Sequence, residues 1–120
     1  MLFRSHVAGR RLLFPAVHNA RMLALRRHAL GNGFLDLLVL WRNERDRPEQ
    51  YRSPPHLAAY GVKCDATLAM LEREAGVLEQ TPFDIGHIGI GCALSYMDFR
   101  FTSLDWRGPH PQLEIGRAHV

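Results

Sequence analysis

Seven histidines, two cysteines and a few clustered carboxylates are the side chains of this 120-residue chain that could do chemistry. Histidines bind a transition metal when two stand one helical turn apart, or when they converge with cysteine or carboxylate. His6, His18, His28, His56, His87, His110 and His119 contain no such pair, so no metal site is expected. His87 could act as a general acid or base, but a hydrogen-bonded histidine at the edge of a core is the favoured reading. Asp84, three residues earlier, could act as a base, yet its place at a helix start suits a cap. Cys64 and Cys92 fall within helical patterns without metal-type spacing and are expected to be free, buried thiols. No glycine-rich loop follows a strand, no nucleophile–histidine pair is recognisable, and no carboxylate pair stands apart from ordinary helix surface. The residues therefore specify no self-contained catalytic site.

The elements that would position these groups are helical throughout. Thr81-Pro82-Phe83-Asp84 reads as a reciprocal N-terminal cap, Thr81 and Asp84 each accepting the other's backbone N–H, with Pro82 at the first helical position. From Ile85 to Met97 apolar and glycine residues lie on every side, the pattern of a buried central helix. Gly86, Gly89 and Gly91 each disfavour a helix by roughly 1 kcal/mol against alanine, so their value there is close approach of a second helix. An earlier helix, capped by Asn19 and running to about Arg45, sets Leu23, Leu30, Phe34, Leu37, Leu38 and Trp41 on one broad apolar face. Gly31 and Gly33 should bend it, with a helix or ligand approaching the backbone there. Ser53-Pro54 starts another helix, whose seam of Leu57, Gly61, Cys64, Leu68, Leu71, Ala75 and Leu78 suits a nearly antiparallel neighbour. Asp65, Glu72, Arg73 and Glu79 fall mostly off that seam and should be solvated. The expected fold is an all-α bundle of about four to five helices, the last of them truncated.

Beyond the buried helix come Tyr96-x-Asp98-x-Arg100-Phe101, then Asp105-Trp106-Arg107, then His110-Pro111-x-Leu113. This ordered set, with the capped helix before it, resembles the C-terminal all-helical domain of glutathione S-transferases, in particular the bacterial YibF-like branch. Upstream, Arg11-Leu12-Leu13-Phe14-Pro15 resembles the connector from that family's thioredoxin-like domain, and Arg47-Pro48-Glu49 the end of the long first helix. The resemblance implies residues 6–18 as connector and 19–113 as the helical domain, in a fragment without the thioredoxin-like domain. Residues 1–5 and 114–120 fit no element of the family. Their codons can be written as reverse-complementary sequencing-adapter sequence, and both segments are expected to be adapter-derived rather than biological.

The resemblance implies glutathione as co-substrate and a parent enzyme that conjugates it to small hydrophobic electrophiles. The catalytic Ser, Tyr or Cys would lie in the missing domain, so the fragment alone is expected to be inactive. The helical domain would supply one wall of the electrophile pocket, with Asn32, Gly33 and Asp36 facing the cleft, and much of a homodimer interface. Asn32 stands where the family often has an acidic residue, and Gly31 where it has alanine. Gln80, before the cap, weakens the apolar staple onto Ile85. The same fold also serves as a non-catalytic interaction module and in glutathione-dependent thiol reductases and peroxidases, which are the alternatives. A net charge of only +3, with acidic residues spread through the later part of the chain and no recognised nucleic-acid motif around the arginine pairs Arg10-Arg11 and Arg26-Arg27, argues against nucleic acid. No apolar run is long enough to span a membrane, and a cytoplasmic location is expected.

Overall fold

The computed structural model describes residues 12–117, and the first expected adapter segment, residues 1–5, lies outside them. Four helices follow in order: α1 (His18–Arg45), α2 (Pro54–Gln80), α3 (Ile85–Arg100) and α4 (Pro111–Arg117). A 3-10 turn at Glu49–Tyr51 joins the first two. No strand occurs among the described residues, and no helix there is long and apolar enough to cross a membrane.

α1 starts one residue before the expected cap. Asn19 lies exposed inside the helix, and Val17 is the boundary residue, without a side-chain cap. The helix also runs unbroken through Gly31 and Gly33. The reason lies in α3, which packs on α1 with the two chains parallel: Arg27 faces Gly86, and Gly31 faces Gly89. A Cβ at Gly31 would overlap the Gly89 carbonyl group, one at Gly86 would stand 2.8 Å from the Arg27 Cβ, and one at Gly89 would stand 3.1 Å from the His28 Cα. Glycine on both surfaces lets the backbones touch, and the packing gained offsets the weak helix propensity.

α2 begins as its sequence suggests, the Ser53 hydroxyl accepting the His56 N–H at 3.3 Å. Its seam buries Cys64, Leu68, Leu71, Ala75 and Leu78 against Phe34 and Leu38 of α1 and Ile90, Ala93, Leu94 and Met97 of α3. It runs opposite to α1, since Trp41 lies near Gly61 while Arg27 reaches Glu74. α3 is central but not buried all round, because Cys92, Ser95 and Phe99 face outward. Cys92 is thus exposed, contrary to the sequence expectation; α1 and α2 cover only two sides of α3 there.

The segment after α3 explains the run of motifs around Asp98. That carboxylate accepts the Trp106 indole N–H at 3.0 Å and two N–H groups of Arg107 at 2.8 and 2.9 Å. Trp106 is thereby fixed in the core at 2% exposure with its one polar atom satisfied. His110 Nδ1 contacts the Trp106 carbonyl at 2.7 Å, and Leu113 closes the core. Glu72, expected to be solvated, accepts the N–H groups of Gln112 and Leu113 at 3.1 and 2.9 Å, capping α4 from α2.

Candidate functional site

The three residues expected at a binding cleft, Asn32, Gly33 and Asp36, share the outer face of α1 and are all exposed. Gly33 and Asp36 line a groove of about 660 Å³ between α1 and α2, together with Leu30, Phe34, Leu37 and Leu40 from α1 and Tyr60, Lys63 and Thr67 from α2. Asn32 is not among its lining residues. No atom lies within 4 Å of where a Gly33 side chain would begin, so the backbone there is open to an approaching molecule. The groove has an aliphatic and aromatic floor edged by one carboxylate, one ammonium and two hydroxyls, a lining suited to a small apolar body with a polar edge.

A second cleft, of about 480 Å³, opens where α2 ends and α3 begins, lined by Leu78, Glu79, Thr81, Phe83, His87, Ile90 and Leu94, with Leu113 and Gly116 of α4. Its polar groups are occupied. His87 Nε2 lies 2.8 Å from the Leu78 carbonyl oxygen, and Nδ1 lies 3.2 Å from the Asp84 N and 3.1 Å from Asp84 Oδ1. That Oδ1 also accepts the Gly86 N–H at 2.8 Å. His87 is thus a structural partner with both ring nitrogens engaged, as the favoured sequence reading has it.

The cap itself is arranged differently from the sequence expectation. Asp84, not Thr81, is the N-cap of α3; its backbone is extended (φ −144°, ψ −173°), and His87 at the third helical position returns the hydrogen bond. Thr81 instead ends α2, its hydroxyl donating to the Val77 carbonyl at 2.7 Å. Pro82 is consequently outside the helix, and the staple position moves from Gln80 to Phe83, whose ring lies 5.3 Å from that of His87. The three-residue offset from Asp84 to His87 is the sequence signal for this arrangement. The lead-in segment docks at the same point, the Leu13 carbonyl accepting the Ile85 N–H at 3.0 Å.

Elsewhere the reactive groups are neutralised by their surroundings. Burial, with a smaller push from Asp65, raises the Cys64 thiol pKa to about 12, so no thiolate forms near neutral pH. The Arg26–Arg27 pair is engaged by Glu74, at 2.6 and 3.2 Å to Oε1. Burial works to raise the Glu74 pKa, but the hydrogen bonds from both arginines outweigh it and hold the carboxyl below its ordinary value. Among the described residues no group of three His, Cys, Asp or Glu side chains could hold a metal ion, and no nucleophile stands beside a free base.

No protein-family model and no functionally curated protein matches the chain. Solved structures do. A glutathione transferase family member from Pseudomonas fluorescens Pf-5, with bound S-(propanoic acid)-glutathione, is similar at 37% identity and a TM-score of 0.83 over 90% of this chain. A glutathione S-transferase from Methylobacterium radiotolerans, in complex with glutathione sulfonate, is similar at 34% identity and a TM-score of 0.80 over 89% of it. One from Methylobacillus flagellatus, with glutathione bound, is similar at 26% identity and a TM-score of 0.82. The chain spans about half the length of these proteins: 55%, 52% and 55% respectively. Its four helices, without a strand among the described residues, and its likeness over some nine-tenths of its length give it the fold of the all-helical C-terminal domain of these glutathione transferase family members.

Proposed function

We propose that this chain is part of a cytoplasmic, homodimeric glutathione transferase, in which it forms one wall of the electrophile pocket and much of the dimer interface. The observation that carries this reading is its likeness to glutathione-bound transferases over about nine-tenths of its length. The lack of a nucleophile beside a free base among the described residues agrees with it, since the thiolate would be generated on another domain. On this reading residues 6–18 are the connector, 19–113 the domain, and 1–5 and 114–120 are adapter-derived.

The groove between α1 and α2 supplies the physical part. Its apolar floor of Leu30, Phe34, Leu37 and Leu40 removes a hydrophobic electrophile from water, worth roughly 25 cal/mol per Å² of apolar surface covered. Open backbone at Gly33 admits the electrophile or a partner subunit closely, while Asp36 offers a polar contact in the groove and Asn32, outside its lining, one beside it. A thiolate held opposite attacks the electrophilic carbon as the leaving group departs, with the gain coming from positioning and from the lowered thiol pKa.

Steady-state conjugation of an aryl halide by the whole protein tests this. Gly33→Phe should raise KM for the aryl halide severalfold while leaving KM for glutathione near its wild-type value. Unchanged KM for both substrates, or conjugation by residues 1–120 alone, would refute the assignment.

A further inference from the structure

His87 joins three pieces of chain, and its protonation state determines how. Facing the carbonyl oxygen of Leu78 at 2.8 Å, Nε2 must carry a proton, because a carbonyl oxygen only accepts. The other nitrogen has two neighbours, the Asp84 backbone N at 3.2 Å and Asp84 Oδ1 at 3.1 Å, and these make opposite demands. A neutral ring with its proton on Nε2 accepts the Asp84 N–H through the Nδ1 lone pair. A doubly protonated ring donates from Nδ1 to Oδ1 and leaves the Asp84 N–H without an acceptor. The alternative neutral tautomer would set a bare Nε2 against the Leu78 oxygen and is excluded by that contact.

We propose that His87 is a proton-controlled clasp: its Nε2 end stays fixed to the last turn of α2, while its Nδ1 end exchanges the Asp84 amide for the Asp84 carboxylate as the ring gains a proton. The side chain is 11% exposed and that of Asp84 4%, so water is poorly placed to replace the lost acceptor. The change falls on the turn of residues 81–84, where Thr81 and Phe83 line the same cleft as His87. A proton on Nδ1 therefore removes the acceptor of the Asp84 N–H at that wall of the cleft while the α3 cap, held by the Gly86 N–H on Asp84 Oδ1, persists. The charged groups facing this joint from the packed elements are Asp84 at the cap, Glu79 of α2 and, beside Asp84 in a neighbouring cavity, Arg27 of α1; α4 contributes Leu113 and Gly116.

The test is nitrogen NMR of the His87 ring in the 120-residue chain, recorded with amide exchange of Asp84 and Gly86 across the ring's titration. The expected result is a protonated Nε2 and bare Nδ1 in the neutral ring. As the ring protonates, Asp84 amide protection should fall about tenfold, the effect of one lost hydrogen bond, with Gly86 protection unchanged. In His87→Gln the Asp84 protection should not vary with pH, whereas Glu79→Gln should leave the wild-type response intact. A neutral ring protonated at Nδ1, constant Asp84 protection through the titration, or the same pH response in His87→Gln would each overturn the proposal.

Discussion

Gly31 and Gly33 are two residues apart on one helix and should respond in opposite directions to the same substitution. At Gly31 an added methyl group would overlap the carbonyl group of Gly89 and stand 2.7 Å from the Ile90 nitrogen. These are backbone atoms in the middle of α3, so no rotamer change can relieve the overlap and the α1–α3 contact must open. Overpacking of this kind costs about 1–3 kcal/mol, and more when the backbone itself must move; alanine's better helix propensity returns roughly 1 kcal/mol. Gly31→Ala is therefore expected to destabilise by about 2 kcal/mol net. Gly33→Ala meets nothing within 4 Å and keeps only the propensity gain, a stabilisation of up to about 1 kcal/mol. The two variants should differ by about 3 kcal/mol in urea unfolding, on the order of 10 °C in Tm for a domain of this size. Gly31→Ala at or above wild-type stability, or a Gly33→Ala loss equal to that of Gly31→Ala, would refute the close crossing of α1 and α3.

Three further outcomes follow from the same structure. Cys92, exposed, should react rapidly with a thiol reagent in the native protein, while Cys64, buried and with its pKa pushed up to about 12, should react only on unfolding; stopped-flow thiol titration with and without urea separates them. Asp98→Ala strands the Trp106 indole N–H and breaks the Arg107 pair, costing about 2–3 kcal/mol, whereas Asp98→Asn keeps an acceptor and should cost less; urea midpoints read both. Glu74 has a folded pKa below its unfolded one, so its contribution is present above the ordinary glutamate range near pH 4.3 and is lost as pH falls through the folded value; Glu74→Gln should flatten the acid limb of a stability–pH curve.

The helices themselves were legible because each carries its pattern in consecutive residues. Ser53-Pro54 marks the start of α2, and the spacing from Cys64 to Leu78 names the face it buries. The glycines of α3 announced a close neighbour, and the neighbour is α1. What stayed hidden depends on partners distant in sequence. Glu72 looks like any solvated helix glutamate until α4 brings two backbone N–H groups to it, and nothing local in the 110–114 segment points back forty residues. Cys92 was misplaced because an apolar stretch does not reveal which of its sides a neighbour covers. The cap at α3 shows a closer contest: Thr81-x-x-Asp84 and Asp84-x-x-His87 both satisfy the capping spacing, and the extended backbone at Asp84 with a histidine in reach decides for the second. Gly33 and Asp36 could be placed on a common helix face from spacing alone, but the groove needs Tyr60 and Lys63 of α2, which only the antiparallel packing supplies.

Determining the genomic sequence across both ends of the reading frame tests the central claim most directly. The account predicts a thioredoxin-like domain immediately upstream, carrying a Ser, Tyr or Cys near its first helix, helical sequence continuing after Leu113, and different residues where 1–5 and 114–120 now stand. An upstream region without any thioredoxin-like domain, as a non-catalytic interaction module would have, would contradict the assignment to a transferase.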